Sequence, residues 1–333
     1  MKYLVTGAAG FVGSHLAHLL LEQNHQVVAL DNYNEYYSSQ LKRNRVTEIL
    51  QPLGLSVLNL DLCKKDAVYE IIRKEKPDVV VHLAGQPGVR TPLEQSHLYV
   101  ESNLVAFCNV LEAAVAHQIP NLLYASSSSV YGNSTELPYS EATRLLAPVS
   151  IYGATKLAGE ILAPSFVNGS KTKVRGMRFF TAYGPWGRPD MAYFRLINSG
   201  LNQVQFEKYG DGDLKRDFTY ISDITKMILM LSLDLMQREE GFSDIVNIGG
   251  GNPHSLNDLI ASVEKILNVK ISVDSRQQNA NDSKITCADT TMLEKLTGSK
   301  PQVSLESGLI ETIKWAKNIS PKTKLDEWIS STI

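Results

Sequence analysis

Short apolar runs alternate with longer amphipathic stretches through the first half of the chain. Some runs, such as VVVHLA at 79–84, are apolar at almost every position. A strand has this composition when helices cover both faces of its sheet, as in parallel sheets. The alternation is typical of βαβ units. It predicts strands at 2–6, 26–30, 56–60, 78–83, 122–126 and 174–179.

Helical periodicity fills the spaces between these runs. Residues 11–22 carry apolar side chains at helical spacing, and 93–116 is a long helical pattern without Gly or Pro. A further helix is predicted from Ile151, ending by Pro164, because proline disfavours continuation.

The pattern changes beyond about residue 180. Gly and Pro cluster at 183–191 and 208–217, which predicts loops. Helices are predicted at 224–235, 255–267 and 305–317, and Ser255 and Asp258 have capping-box spacing. We therefore expect an α/β fold. A Rossmann-type doubly wound parallel sheet would occupy residues 1–180, and a smaller C-terminal α/β substrate lobe residues 181–333, with the chain crossing between the lobes.

Composition narrows the class of protein. The 333 residues are 43% hydrophobic and 20% charged, with a net charge of -2, whereas a general nucleic-acid binder would carry a basic excess. Three widely spaced cysteines, Cys63, Cys108 and Cys287, indicate reduced thiols rather than disulfides or a zinc site. We see no signal peptide and no apolar stretch of about 18 residues. The sequence predicts a soluble, cytoplasmic protein without a metal, membrane or nucleic-acid partner.

A glycine-rich turn follows the first predicted strand. Gly7, Gly10 and Gly13 form GxxGxxG at the start of the first predicted helix, where glycine lets a pyrophosphate approach the backbone N–H groups. Asp31 ends the second strand, where an acid accepts hydrogen bonds from ribose hydroxyls and repels a 2′-phosphate. This favours NAD over NADP. The alternatives are a plain βα connection and an acid that only caps a turn.

Later strand ends extend the same predicted site. Asp61 and Leu62 follow the third strand and would frame the adenine. Ala84 and Gly85 follow the fourth, where small residues let the backbone lie against a dinucleotide.

Tyr152 and Lys156 stand at i and i+4, so both project from one helical face. An ammonium near a phenol stabilises the phenolate and lowers the pKa of the tyrosine towards neutrality, which suits proton abstraction from an alcohol. The pair follows SSSSVYG at 126–132, whose serines would bind the same hydroxyl. The alternatives are an unrelated surface pair and a merely polar turn.

Together, TGAAGFVGSHL, Asp31, HLAG, SSSSVYG, YGATK and RDFTYISD resemble the extended short-chain dehydrogenase/reductase family over nearly the whole chain. The resemblance implies Ser127, Tyr152 and Lys156 as the catalytic triad. It implies tightly bound NAD, held by the following residues: Gly7, Gly10, Phe11, Val12, Gly13, Asp31, Asn32, Asp61, Leu62, Ala84, Gly85, Asn103, Tyr152 and Lys156. HLAG differs from the commoner HLAA, a change we do not expect to affect cofactor binding.

Members of this family oxidise a nucleotide-sugar hydroxyl, commonly at C4, and then diverge. The resemblance implies that dehydratases and decarboxylases carry an acid in the serine strand, where this chain has Ser127, Ser128 and Ser129. That leaves inversion at C4 through a 4-keto sugar.

The stretches 31–45, 85–90 and 178–194 resemble UDP-glucuronate 4-epimerases, which convert UDP-glucuronate to UDP-galacturonate. Arg188 is our candidate for the C6 carboxylate, because its planar fork matches a carboxylate. The alternative is an arginine that pairs with Asp190 or a backbone carbonyl.

The other predicted substrate contacts come from the resemblance. Arg216 would bind the diphosphate and Thr181 the sugar side of it, and Arg90 would serve either the diphosphate or the carboxylate. The segment 276–289 departs from the family, because residues 279–282 replace a Pro-Gly turn there. Asp282 is the candidate contact in that loop.

Several alternatives stay open at this stage. They are a UDP-glucose/UDP-galactose 4-epimerase, a UDP-glucuronate decarboxylase and a non-catalytic NAD-binding regulator. The resemblance also implies a role in polysaccharide biosynthesis and a homodimer formed through the helices 93–116 and 151–163.

Overall fold

A computed structural model describes residues 1–89, 93–277, 283–319 and 323–330. The strands lie close to those that the sequence predicts in the first half, within one residue at each end. They are β1 Lys2–Thr6, β2 Gln26–Asp31, β3 Val57–Asn59, β4 Val79–His82, β5 Asn121–Ser127, β6 Lys173–Phe179, β7 Thr181–Tyr183, β8 Phe206–Tyr209, β9 Lys215–Tyr220, β10 Ser243–Ile248, β11 Pro253–Ser255 and β12 Val273–Arg276.

Helices connect these strands. They are α1 Phe11–Glu22, α2 Ser39–Arg45, α3 Lys65–Glu75, α4 Ser96–Val100, α5 Ala106–Ala116, α6 Ile151–Val167, α7 Ala192–Asn202, α8 Ile221–Met236, α9 Leu256–Leu267, α10 Thr291–Thr297, α11 Leu305–Ile319 and α12 Thr323–Ser330. The π-helical turn Val46–Leu50 extends α2, and Glu101–Val105 joins α4 to α5. The predicted capping box of Ser255 and Asp258 at α9 is confirmed.

Seven parallel strands form the large sheet, in the order β10-β6-β5-β4-β1-β2-β3. From β1 at the centre, the chain adds β2 and β3 on one side. It then crosses back and adds β4, β5, β6 and β10 on the other side. This reversal creates a crevice beyond the carboxyl ends of β1 and β4. The predicted Rossmann-type fold is confirmed.

Alternate residues of each central strand enter opposite cores, which explains the continuous apolar runs. In β1, Tyr3 and Val5 pack beneath α1, α8 and α10, whereas Leu4 packs beneath α3, α5 and α6. Both faces of the sheet are therefore covered by helices.

A second core lies among α7, α9, α11 and α12, beside the small sheets β11-β9-β7 and β12-β8. The chain reaches these elements after β6, but α8 and β10 return to the large sheet. The division at residue 180 stays a prediction, and the two parts share elements across it.

Two local predictions are wrong. Helix α6 continues one turn past Pro164, because Val167 is fully buried in the core and this packing outweighs the missing N–H of proline. The loop predicted at 208–217 is partly β8 and β9, which pair with β12 and with β7 and β11.

The expectation that no apolar stretch reaches about 18 residues is also wrong. Ser96–Ala116 is long and apolar enough, by length and composition, to cross a membrane, and half of its apolar window is buried inside the protein. A core helix has the same composition, and α5 packs against α3 and α6.

Candidate active site

One cavity of about 950 Å³ runs across the carboxyl ends of β1, β2, β4 and β5 and reaches the second core. Ligands of open α/β sheets bind at this edge. The cavity brings together these residues predicted from the sequence: Gly7, Gly10, Phe11, Val12, Gly13, Asp31, Asn32, Asp61, Leu62, Ala84, Gly85, Ser127, Ser128, Ser129, Tyr152, Lys156, Thr181, Arg188 and Arg216. Arg90 and Asp282 lie outside the described residues.

The glycine-rich turn is too tight for larger residues. Gly7 has a φ of +70°, and a Cβ there would lie 2.8 Å from the Ala84 nitrogen. A Cβ on Gly13 would lie 2.1 Å from the Gly7 oxygen. Gly10 caps α1 without a side-chain hydrogen bond, which leaves the N–H groups of the first helical turn available to an anion.

Asp31 both caps a turn and lines the cavity. Its Oδ2 accepts a hydrogen bond from the Ala9 nitrogen at 3.0 Å, and its Oδ1 accepts one from the Tyr33 nitrogen at 2.7 Å. Each carboxylate oxygen has a second lone pair for another donor. The nearby Asp61 is similar, because its Oδ1 accepts from the Cys63 nitrogen at 3.0 Å.

Ser127 ends β5, while Tyr152 and Lys156 occupy one face of α6. The Ser127 Oγ donates to the Ser129 Oγ at 3.1 Å, and the Ser127 side chain acts to lower the pKa of Tyr152. The Lys156 Nζ donates to the Ala125 carbonyl at 2.9 Å and lies 5.9 Å from the centre of the Tyr152 ring. Ser150 starts α6 by accepting a hydrogen bond from the Gly153 nitrogen. The three predicted catalytic side chains therefore meet at the carboxyl end of β5.

The pKa of Tyr152 does not move as the sequence suggests. Burial raises it above the ordinary value of a phenol, and the hydrogen bond from Ser127 and the charge of Arg188 act in the opposite direction. Desolvation lowers the pKa of Lys156 itself to about 8.

Asn103 lies behind the cavity wall, where only 4% of it is exposed. Its Oδ1 accepts from the Gln86 nitrogen at 2.8 Å, and its Nδ2 donates to the Thr155 Oγ1 at 3.0 Å. It thus links the loop after β4 to α6. Gly85 packs closely against Asn103 and Lys156. A Cβ on Gly85 would lie 2.7 Å from the Asn103 Oδ1 and 3.2 Å from the Lys156 Nζ.

The serine turn rests on a buried pair that we did not find in the sequence. Ser126 donates to Glu160 in α6, and Glu160 pairs with Arg178 in β6 at 2.7 Å. Arg178 also donates to the Tyr131 hydroxyl at 2.8 Å. The available signal was spacing, because Glu160 follows Lys156 by one further i+4 step.

In the cavity wall, Arg188 pairs with Asp190, the alternative that the sequence left open. The Arg188 Nε donates to the Asp190 Oδ1 at 3.1 Å, and Nη2 donates to Oδ2. The guanidinium nevertheless stays in the cavity wall, 5.9 Å from the centre of the Tyr36 ring. Tyr36 is a cavity residue that we did not single out from the sequence.

Arg216 in β9 lines the same cavity. Its Nη1 donates to the Ser283 carbonyl at 2.8 Å, which ties β9 to the segment that begins at residue 283. Thr181 opens β7 beside it.

A family model described as the NAD dependent epimerase/dehydratase family matches residues 3–249. The chain belongs to this family. The family resemblance predicted from the sequence is confirmed, and the Gly-rich turn, Ser127, Tyr152 and Lys156 all lie in the matched part of this epimerase/dehydratase chain.

Relatives of this epimerase/dehydratase include a "Probable UDP-glucuronate 4-epimerase" from Rhizobium meliloti (strain 1021), 37% identical over 95% of this chain and 96% of that one. The solved UDP-glucuronic acid 4-epimerase from Bacillus cereus, in complex with UDP-glucuronic acid and NAD, is 34% identical. It covers 96% of this chain and all of that one with a TM-score of 0.88. MoeE5, in complex with UDP-glucose and NAD, is 33% identical with a TM-score of 0.84, covering 96% of this chain and 99% of that one.

Proposed function

We propose that this chain is an NAD-dependent epimerase that inverts C4 of UDP-glucuronate to give UDP-galacturonate through a 4-keto sugar. The observation that carries this proposal is the meeting of Ser127, Tyr152 and Arg188 in one cavity. The first two suit proton transfer at a hydroxyl, and the third suits a carboxylate. Relatives with this activity in their names span nearly the whole chain.

The nucleotide end of the cavity fits NAD. Gly7, Gly10 and Gly13 leave room for a pyrophosphate at the start of α1, where N–H groups favour an anion. Asp31 and Asn32 would bind the adenosine ribose, and Asp61 and Leu62 would frame the adenine. Phe11, Val12, Ala84 and Gly85 complete the walls. NAD supplies hydride acceptance from C4 and its return to the opposite face.

In this proposal the chain's own residues move the C4 hydroxyl proton. The Tyr152 phenolic oxygen takes it as a phenolate, a form that the positive nicotinamide of bound NAD would favour against the burial that raises this pKa. Ser127 holds the same hydroxyl through its side chain. Lys156, with its pKa lowered to about 8 by desolvation, stays beneath the tyrosine on the Ala125 carbonyl. Asn103 keeps α6 against the loop after β4.

The remaining residues bind the UDP-sugar. Arg216 holds the diphosphate. Arg90, for either the diphosphate or the carboxylate, and Asp282 stay predictions from the sequence, because both lie outside the described residues. Thr181, Ser128 and Ser129 surround the sugar, and Arg188 takes its carboxylate. A 4-keto uronate is a β-keto acid, which loses CO₂ when its C5–carboxylate bond stands perpendicular to the ketone plane. An arginine that holds the carboxylate away from this alignment prevents the 4-keto sugar from losing CO₂.

The test is proton NMR of the purified protein with NAD and UDP-glucuronate, following the sugar H4 and anomeric signals. We expect UDP-galacturonate without a UDP-pentose. Tyr152→Phe is expected to lower turnover by about 10²–10⁴-fold, because general acid–base groups contribute this much. Inversion of UDP-glucose while UDP-glucuronate stays unchanged would instead establish the neutral-sugar epimerase.

We also infer a homodimer in the cytoplasm, acting in polysaccharide biosynthesis. Support for the dimer comes from apolar side chains exposed along α4, α6 and the turn between α4 and α5: Leu98, Val105 and Ile161, the last 65% exposed. Ile161→Glu is expected to convert the dimer to a monomer in light scattering. A monomeric parent protein would contradict this inference.

A further inference from the structure

Among the described residues, the hydrogen bonds of Arg188 engage one edge of its guanidinium and leave another for a ligand. Asp190 takes the side edge, formed by Nε and Nη2. A guanidinium carries five N–H donors in a fixed plane, so a carboxylate on the side edge leaves the end edge of Nη1 and Nη2. A second carboxylate can bind there without displacing the first.

The pair faces the reaction centre from the cavity wall. The side chains of Arg188 and Asp190 are 24% and 21% exposed, so both are partly shielded from water. The positive charge of Arg188 acts to lower the pKa of the Tyr152 phenol. The Tyr36 ring lies 5.9 Å from the guanidinium carbon and bounds it on one face.

The backbone before Arg188 is anchored separately. Arg45 is fully buried and donates to the carbonyls of Trp186 at 2.8 Å and Gly187 at 2.9 Å. It also donates to the Ala9 carbonyl in the glycine-rich turn at 3.2 Å. The main chain at this point is therefore held by Arg45, and the direction of the Arg188 side chain is left to its own contacts.

We propose that Asp190 is a positioning residue that holds Arg188 by its side edge and presents the end edge to the carboxylate of a uronic acid. This rests on the proposed function of Arg188. Asp190 stays in place when substrate binds, because a released Asp190 would put a second negative charge beside the incoming one. The residue thereby sets the selectivity for a charged sugar over a neutral one.

The test measures dissociation constants of UDP-glucuronate and UDP-glucose by calorimetry, in NAD-loaded protein carrying Tyr152→Phe to prevent turnover. We expect Asp190→Asn to raise the dissociation constant of UDP-glucuronate about tenfold, because the charge-assisted contact between Arg188 and the sugar carboxylate is misdirected. The dissociation constant of UDP-glucose, which has no carboxylate, should change by less than about twofold. Asp190→Glu, which keeps the carboxylate, is expected to recover most of the affinity. In protein with Tyr152 intact, Asp190→Asn should also release UDP-pentose.

Glu70→Gln is the matched control. Glu70 accepts from the Nε and Nη2 of Arg73 with the same two-donor geometry, but on the exposed surface of α3. The Glu70→Gln substitution removes one negative charge without touching the cavity. It should therefore leave the dissociation constants of UDP-glucuronate and UDP-glucose unchanged. Far-UV circular dichroism and NAD affinity check that each variant folds.

Two results separate failure of this inference from failure of the proposed function. If Asp190→Asn binds UDP-glucuronate equally or more tightly, Asp190 competes for Arg188 and does not position it, and the inference is overturned. If Arg188→Ala leaves UDP-glucuronate affinity unchanged, Arg188 is not the carboxylate site, and the proposed function loses that assignment first.

Discussion

Glu160 of α6 binds Arg178 of β6 through both carboxylate oxygens, at 2.9 Å and 2.7 Å, and both side chains are buried. The pair joins the helix that carries Tyr152 to the strands behind Ser127. Ser126, the residue before Ser127, donates to the same carboxylate. The distance between the proposed proton acceptor and the proposed hydroxyl ligand thus depends on an ion pair below both.

Removing one partner of the Glu160–Arg178 pair is expected to destabilise the folded protein. Glu160→Ala should lower the free energy of unfolding by about 3–5 kcal/mol, because it leaves the Arg178 guanidinium buried without its counter-ion. Urea denaturation followed by circular dichroism measures this. The double variant Glu160→Leu with Arg178→Met should recover most of the loss. A double variant as unstable as the single one would show that packing, not the uncompensated charge, dominates.

Lys156 is predicted to reduce stability at neutral pH. Desolvation lowers its pKa to about 8 in the folded protein, below the value in the unfolded chain. Between these values the unfolded chain binds more protons, so the contribution of this group to stability rises with pH. Lys156→Met should therefore raise the free energy of unfolding at pH 7 by about 1–3 kcal/mol while abolishing turnover.

The advantage of Lys156→Met should shrink above pH 8 and vanish near pH 10.5, the ordinary lysine value. Urea denaturation at several pH values measures it. Lys270→Met, at a side chain 91% exposed, is the control and should show no such trend. An advantage that stays constant with pH would mean that the methionine only packs better.

Gly85→Ala tests how closely the cofactor wall and the helix α6 approach each other. The added Cβ would lie 2.7 Å from the Asn103 Oδ1, whose hydrogen bond to the Gln86 nitrogen leaves it little room to move. We expect a loss of about 1–3 kcal/mol in stability and a lower turnover, because overpacking shifts Asn103 and Lys156. Gly54→Ala, where a Cβ meets nothing within 4 Å but φ is +76°, measures backbone strain without a clash, whereas Gly85→Ala adds a clash without such a φ. Unchanged stability and turnover in Gly85→Ala would show that Asn103 and Lys156 accommodate the added methyl group without moving out of place.

Asp31 is expected to decide the choice of cofactor. Asp31→Asn should weaken the binding of NAD about tenfold, because neutral hydrogen bonds to ribose are weaker than charge-assisted ones. It should also reduce the ratio of the affinity for NAD to the affinity for NADP. Fluorescence titration with both cofactors measures the ratio. Asp61→Asn, at the neighbouring strand end, should leave that ratio unchanged. An unaltered ratio in Asp31→Asn would mean that the carboxylate only caps the turn to Ala9 and Tyr33.

The sequence by itself determined the features that depend on local spacing. Apolar runs determined the parallel strands, since a strand covered on both faces has no polar side. Glycine spacing determined the turn at Gly7, because only glycine tolerates that approach to Ala84. The i,i+4 spacing of Tyr152 and Lys156 determined that they share a helical face.

The tertiary structure decided which partner each polar group finds. Lys156 bonds to the Ala125 carbonyl, and burial is the largest influence on the pKa of Tyr152, which it raises. Glu160 meets Arg178 across the sheet, and α6 continues past Pro164 because Val167 is buried. These outcomes depend on the dielectric and packing that remote segments create around a residue. Local sequence specifies which groups are available, whereas the folded chain sets their distances and their access to water.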